Sequence, residues 1–466
     1  MNPKNKIKES GPEILLVNPW IYDFAAYDFW AKPIGLLYIA AVLHCCGYTV
    51  RLLDCLDTHE APATNQQGST VSEKRTFGCG KFPKEIVPKP SVYRNVPRRY
   101  GRYGITEETF ERSLASTTAP TTILVTSGMT YWYPGVCRAI ELLRARFPKT
   151  PVLMGGIYAT LCPKHARSFS GADLVITGPG EVAAVEAVDD ICGCRSNAET
   201  YGRLQALPLP AFDLYDRLDY ACLLTSRGCP FQCPYCASGL LSGGYRRRLV
   251  EDVLMELEWL RRGLGVKNIA FYDDALLVDA DDHIKPILEG VLQRNLDCWF
   301  HTPNGLHARM VDRELADLMF RSGFKTLRLS FDPVDAPGQE RIDNKATARD
   351  LFRAVENLRQ AGYRREEIGV YLLVGLPSQH YEQVIENVDV AANLGVQIKL
   401  ACYSPIPGTD LWRSAVQDGL QDPQTDPLLH NNTIFPTSSP QLPAEKLEAI
   451  KKYVVSRNAA LLSTRR

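Results

Sequence analysis

Three cysteines, Cys229, Cys233 and Cys236, fall within eight residues of the stretch SRGCPFQCPYC. With 14 cysteines in 466 residues, chance yields such a triplet in roughly one chain in a hundred. Thiolates at this spacing grip metal. A structural zinc site wants four ligands, usually as paired Cys-x2-Cys hooks. No second hook is present: Cys192 and Cys194 are one residue apart in another region, and Cys222 lies on the preceding strand-like run. An iron–sulfur cluster built for simple electron transfer also takes four thiolates. Three thiolates on a four-iron cluster leave one iron open to a substrate or a cofactor.

Such a loop must be carried by a rigid element. The second half of the chain offers six strand-like runs, ACLLTSRG, NIAFYDD, CWFHTPNG, TLRLSFD, IGVYLLVGLP and IKLACYSP. Helix-like stretches between them, several ended by glycine, predict six strand–helix units. That pattern is a partial parallel barrel over 221–412, with function at the C-terminal ends of its strands. The first half alternates in the same way. EILLVNP, YTVRLLD, TTILVTSG, PVLMGG and ADLVITG are short apolar runs ending in turn residues. They predict an α/β, doubly wound, flavodoxin-like domain over 13–200, binding ligands outside the carboxyl ends of its strands. An insertion at about 58–120 breaks the rhythm. The proline-rich 201–220 reads as a linker, and 413–466 as a short helical C-terminal tail.

The totals set limits. Apolar residues make up 45% and charged residues 23%, as in ordinary globular proteins. Lys+Arg and Asp+Glu both number 53, so bulk charge predicts no polyanionic partner. No run reaches the ~20 apolar residues of a membrane helix. The polar N-terminus lacks a secretory pattern, so a cytoplasmic location is expected. The scattered cysteines Cys45, Cys46, Cys55, Cys137 and Cys402 are expected to remain thiols in apolar cores.

CPFQCPYC after the first strand of a partial barrel resembles the signature of the radical S-adenosylmethionine (radical SAM) superfamily. The resemblance implies a [4Fe–4S] cluster on Cys229, Cys233 and Cys236 whose open iron chelates SAM. One electron from the cluster then cleaves SAM to a 5′-deoxyadenosyl radical. It implies further SAM contacts: Tyr235 beside the adenine, and Asp273 or Asp274 of FYDDALL at the amino group. Ser330 or Asp332 of LRLSFD would meet the ribose, where many relatives have Glu. Gly375 and Pro377 of VGLPSQ would back the adenine, or only shape a turn. YSPIPGTDLW, with Pro405, Pro407 and Gly408, matches a superfamily stretch expected over the barrel mouth. Arg246, Arg247 and Arg248 either bind a carboxylate or phosphate or open a solvated helix.

The order of domains is similar to that of cobalamin-binding radical SAM proteins. The residues that carry this likeness are KPIGLLYIAAVLHCCGYTVRLLD, GGIYATLCP and GADLVITGPGE. The implied cobalamin contacts are Asn18 and Pro19, Ser127, Tyr131 and Trp132, Gly155 and Gly156, and Gly178 and Glu181. The three aromatic residues Tyr131–Tyr133 face the lower corrin face or pack an interface. His59 of DTHEAP is not expected to ligate cobalt, because it follows the second strand rather than the first. In the insertion, Lys81, Lys84, Lys89, Arg94, Arg98, Arg99 and Arg102 alternate with Phe82, Tyr93, Tyr100 and Tyr103. Such a pattern can stack nucleic acid, but a neutral chain without an RNA-binding module argues against that partner. A lid over cobalamin or substrate is expected instead.

The function implied is C-methylation of an unactivated carbon of a small molecule, with an external flavodoxin- or ferredoxin-type reductant. Cyclisation, rearrangement or oxidation without methyl transfer is the alternative on the same cofactors. Methylthio transfer would need a further set of cluster cysteines, which Cys45, Cys46, Cys55 and Cys79 do not form. A cobalamin- or redox-sensing binding protein is the non-enzymatic alternative, against which the complete triplet argues.

Overall fold

A computed structural model describes residues 11–57, 59, 76–331, 346–377 and 379–463. The chain forms two compact units. One takes the described residues up to Leu218 together with Leu240–Ser242 and Gln424–Leu429, and the other takes the remainder.

The first unit is built on five parallel strands: β1 (Glu13–Asn18), β2 (Thr49–Asp54), β3 (Thr122–Val125), β4 (Val152–Met154) and β5 (Leu174–Val175). Their order in the sheet is 2-1-3-4-5, one of the doubly wound orders. Alternate residues of each strand feed two separate cores, as the two-residue pleat requires. Leu15, Val17, Ile123, Val125, Val152 and Met154 pack with Val136, Ala139, Ile140 and Leu143 of α2 (Tyr133–Arg146). Ile14, Leu16, Leu124 and Leu153 pack with α1 (Ile34–Cys45) and α3 (Ala183–Cys192) on the other face. A sheet covered on both faces explains why these runs are continuously apolar.

Residues 204–215 pack onto this unit. Ala211 and Phe212 are buried, the Ala211 N–H donates to Leu37 O (3.1 Å), and the Tyr215 hydroxyl donates to Asp54 Oδ2 (2.6 Å). The described part of the insertion is also ordered. Its aromatic residues turn inward: Tyr93 and Tyr100 are each 1% exposed and pack around Phe24, with ring centroids 4.9 and 5.2 Å away. Phe82 and Tyr103 join Ile21 and Ala26. Arg102 is buried between Glu85 and Glu107. The aromatics are thus core, while Lys81, Lys89, Arg94, Arg98 and Arg99 stay at the surface.

The second unit carries six parallel strands in chain order: β6 (Tyr220–Leu223), β7 (Asn268–Phe271), β8 (Trp299–His301), β9 (Phe324–Phe331), β10 (Ile368–Val374) and β11 (Gln397–Cys402). A two-residue strand, Leu306–His307, also pairs with β9. Helices follow the strands: α4 (Val250–Glu258), α5 (Ile284–Gln293), α6 (Arg313–Ser322), α7 (Ala348–Ala361) and α8 (Tyr381–Asn393). Local chemistry sets their ends. Asp312 caps α6 by accepting from Leu315 N–H, and Thr347 and Asp350 form a reciprocal capping box on α7. Gly323 and Gly362 close the two helices with left-handed backbones. The tail contributes α9 (Asp410–Gln417) and α10 (Ala444–Ser463). Among the described residues, no helix is long and apolar enough to cross a membrane.

Gly156 offers a test of how tightly the strand-end loops of the first unit interlock. Its φ is +100°, and a Cβ there would lie 2.3 Å from Ser127 O. Gly178 also has a positive φ (+76°), but nothing lies within 4 Å of its would-be Cβ. Left-handed backbone alone costs a non-glycine residue about 1–2 kcal/mol. Gly156→Ala is therefore expected to lower the urea midpoint clearly more than Gly178→Ala, and equal losses would refute the interlock.

Candidate metal centre

The three cysteines sit on a loop that leaves the C-terminal end of β6. Where β6 and β7 stop, Tyr272 N–H still donates to Leu223 O (2.9 Å). One residue further the strands part, and the orphaned groups are collected by the Asp273 carboxylate. Its Oδ1 accepts from Thr225 N (3.0 Å), Thr225 Oγ1 (2.7 Å), Ser226 N (2.6 Å) and Ser226 Oγ (2.6 Å). Thr225 Oγ1 also meets His283 Nε2 at 3.0 Å. Asn304 Nδ2 donates to the carbonyls of Tyr272 and Asp273. Burial raises the Asp273 carboxyl above its usual range, and these donors oppose that shift.

The loop returns alongside its own entry. Ser226 and Arg227 pair antiparallel with Arg247 and Arg246. Arg248 N–H donates to Thr225 O (2.9 Å), its guanidinium donates to Leu224 O (2.9 Å), and it pairs with Glu256 of α4 at 2.6 Å. Arg248 is thus a buried structural ion, whereas Arg246 is exposed. Gly228 lies where the two legs cross: its φ is +76°, and a Cβ would meet Gly243 O and Gly244 O at 2.9 Å.

The loop is held at two further points. The Phe231 ring packs on His307 (4.5 Å between centroids) under Arg309 (5.6 Å). Pro234 O accepts from Leu411 N–H (3.0 Å) at the start of α9, a helix capped by Thr409. The YSPIPGTDLW stretch therefore touches the cysteine loop directly.

Cys229 and Cys233 are half-buried and Cys236 is exposed. Burial pushes the Cys229 thiol up to about 11, against a Phe231 N–H that favours the thiolate; Cys233, Cys236 and Asp274 add negative field. The Ser238 N–H points at Cys236 Sγ (3.5 Å). N–H groups aimed at two of the three sulfurs, from Phe231 at Cys229 and from Ser238 at Cys236, suit thiolate ligands of an iron–sulfur cluster. The acidic trio Asp281, Asp312 and Glu314 does not suit a metal, because Lys285 Nζ lies 2.6, 3.0 and 2.6 Å from it.

The other sequence-predicted residues fall as follows. Tyr235 is half-buried within the loop. Asp274 is exposed, interacts with Ser238, and bears on Cys229. Ser330 lies against Gly305, where a Cβ would be 2.0 Å from its Oγ. Asp332 is outside the described residues. Gly375 has φ +98° in a turn closed by Gln379, whose Oε1 accepts from Gly375 N (2.8 Å) and Leu376 N (3.1 Å); Pro377 is exposed. The sequence does not single out Thr225, Glu256, His283, Asn304 and Gln379 as supports. Thr225, His283 and Asn304 have partners 48, 58 and 32 residues away, so no spacing announces them, whereas Arg248 with Glu256 and Gln379 with Gly375 are close pairs.

In the first unit, the candidate loops lie at the carboxyl ends of β1, β3, β4 and β5. The Asn18 amide donates to Asp54 (2.7 Å), and Pro19 is buried. Ser127 Oγ donates to Gly155 O (2.6 Å) beside Gly156. Tyr131 and Trp132 pack edge-on, and Trp132 Nε1 donates to Asp23 Oδ2 (2.9 Å). Gly178 N–H donates to Thr160 Oγ1 (3.0 Å), and Glu181 is buried. His59 follows β2, with its N–H on Asp57 Oδ1 (3.1 Å).

Replacing Cys233 with Ala is expected to drop iron from about four per chain to near zero while the far-ultraviolet dichroism stays native. Cys222→Ala, at a core cysteine 1% exposed, serves as the control and keeps its iron. A second expectation concerns pH. Burial, with Arg247 nearby, pushes His283 from 6.5 down to about 4. Between these values the unfolded chain holds a proton that the folded chain does not. Stability therefore falls as pH drops from 6.5 to 4, by roughly 2–3 kcal/mol at most. Urea midpoints at pH 7 and 5 should differ less for His283→Gln than for the native chain.

Residues 223–391 match the family model of the Radical SAM superfamily. The chain is 26% identical over 298 residues to an uncharacterised methyltransferase of Pyrococcus horikoshii, covering 58% of this chain and 64% of that protein. It is 22% identical over 482 residues to the cytidylyl-2-hydroxyethylphosphonate methyltransferase of Streptomyces wedmorensis, covering 88% and 83%. A solved structure of the radical SAM methyltransferase TsrM from Kitasatospora setae, with cobalamin and a [4Fe-4S] cluster bound, shares the fold. It covers 97% of this chain and 91% of its own at TM-score 0.65 and 17% identity. The cysteine loop and its parallel-stranded seat lie in and beside the segment, residues 223–391, that matches the Radical SAM superfamily model.

Proposed function

We propose that this chain is a cobalamin-dependent radical SAM enzyme that methylates an unactivated carbon of a small molecule. The observation that carries the reading is the pinned loop with three thiolates, Cys229, Cys233 and Cys236, at the C-terminal end of a parallel strand. In this reading 221–412 is a partial (β/α)6 barrel, 13–200 a flavodoxin-like cobalamin domain with its insertion at 58–120, 201–220 a connecting segment and 413–466 a helical extension. When bound, the [4Fe–4S] cluster supplies the electron that cleaves SAM, and cobalamin supplies a carrier for a methyl group.

The chain's own residues do the holding. Cys229, Cys233 and Cys236 bind three irons. Asp274, exposed beside Cys229, accepts hydrogen bonds from the SAM amino group. Tyr235 lines the adenine, and the backbone at Gly375 and Pro377 lets it approach. Ser330 or Asp332 meets the ribose. In the first unit, Asn18, Ser127, Gly155, Gly156 and Gly178 present backbone at the strand ends, and Tyr131 and Trp132 offer an apolar face. Aromatic and aliphatic walls exclude water from the radical. The reductant is a flavodoxin- or ferredoxin-type protein, and the enzyme works in the cytoplasm.

The test is anaerobic reconstitution with iron, sulfide and hydroxocobalamin, followed by SAM bearing a deuterated methyl group and a one-electron reductant. Expected are cobalamin and cluster absorption together, 5′-deoxyadenosine, and three deuterons in the methylated product of an accepted substrate. Bound cobalamin with no 5′-deoxyadenosine under any reductant would sink the radical half. A product without deuterium would favour cyclisation, rearrangement or oxidation.

A further inference from the structure

We propose that Asp273 is a positioning residue: it fixes the entry of the cysteine loop through Thr225 and Ser226 and thereby sets the cluster's environment, leaving Asp274 as the carboxylate that meets SAM. The inference rests on the reading of a cluster at Cys229, Cys233 and Cys236.

The two neighbouring carboxylates occupy opposite surroundings. Asp273 is 3% exposed, while Asp274 is exposed. Both follow the end of β7 at Phe271, where the chain bends, with Asp273 buried and Asp274 exposed. Four donors from two residues converge on Asp273 Oδ1, at 2.6–3.0 Å. Oδ2 accepts from Thr225 N at 3.2 Å. Oδ1 is saturated by its four donors, and the side chain as a whole is 3% exposed, so an incoming ammonium group does not reach it.

Those donors stand three and four residues before Cys229. Ser226 also pairs with Arg247 on the returning leg, and Arg227, the next residue, with Arg246. The return is fixed separately by Arg248 and Glu256. Deleting the Asp273 carboxylate would leave two buried N–H groups and two hydroxyls without their common acceptor. The cost is borne where the loop begins. A loop with a loosened entry changes the distances of its N–H groups to sulfur, and those contacts tune iron–sulfur centres.

The experiment compares Asp273→Ala, Asp273→Asn and Asp274→Asn, each reconstituted anaerobically beside the native protein. Iron and sulfide content and the electron paramagnetic resonance spectrum of the reduced cluster are recorded with and without SAM. Asp273→Ala is expected to lose at least half of the native iron. Asp273→Asn keeps an acceptor oxygen of the same shape; it is expected to restore most of the iron, with a spectrum displaced from native before SAM is added. Asp274→Asn should keep native iron and the native SAM-free spectrum but lose the change that SAM induces. Thr225→Val should displace the SAM-free spectrum in the same direction as Asp273→Asn, and adding it to Asp273→Asn should add little. Native iron and a native SAM-free spectrum in both Asp273 variants would overturn the proposal, whether or not SAM still changes the spectrum. If the native protein itself takes up no cluster, the three-cysteine reading fails, and the proposal with it.

Discussion

Parallel strands that end together leave their last N–H groups facing one edge, and a chain that departs there into a loop must have those groups satisfied. In this protein the need arises where β6 parts from β7. The answer is a single buried carboxylate, Asp273, reaching Thr225 and Ser226 across the gap. Everything that follows in the loop depends on that junction. Without it the entry of the loop that runs from Gly228 to Tyr245 would rest on its two-residue ladder, the other contacts of the loop, at Phe231 and Pro234, lying beyond Cys229. A ligand loop that drifts cannot hold an iron cube with three thiolates, because one corner already lacks a protein ligand. The ion pair of Arg248 with Glu256 plays the same part on the returning leg. A buried charge is costly to leave unpaired; Glu256 is paired with Arg248, and Asp273 accepts from Thr225 and Ser226.

The first unit meets a related constraint in a different way. Its strand ends are closed by backbone approaching backbone. Ser127 bridges to Gly155, Gly156 turns with a positive φ, and Thr160 receives Gly178. Glycine is demanded at Gly156 by contact and at Gly178 only by conformation. The insertion supplies a further layer, since Trp20 Nε1 donates to Ile105 O and Phe110 packs on the Trp20 ring. Its aromatic residues stabilise this layer by burial, while its surface cations remain in water.

How much of this was legible beforehand depended on the range of the interaction. The cysteine triplet is local, so its spacing alone pointed to a three-thiolate loop. The alternation of apolar runs with helical stretches is nearly local, and it foretold two parallel α/β layers. Asp273 was singled out by its place at a strand end, but its role was hidden, because Thr225 lies 48 residues away in the chain. Arg248 looked the same as Arg246 and Arg247, although its partner on α4 is only two helical turns along. The basic–aromatic run of the insertion resembled a stacking surface because sequence alternation does not reveal which face is inward. Packing around Phe24 decides that, and Phe24 precedes the run by some sixty residues.

Two carboxylates side by side at the mouth of a parallel sheet are therefore better regarded as a division of labour than as a duplicated ligand. Just past the strand end one is buried and the next exposed, and the buried one is occupied by the backbone and hydroxyls it anchors. The same logic applies to Gly375, whose N–H is claimed by Gln379. Its freedom shapes the turn first, and any cofactor contact must come from the atoms the turn leaves over. In each case the groups that hold the loop and the groups free to meet a ligand are adjacent in sequence, and burial with hydrogen-bond saturation tells them apart.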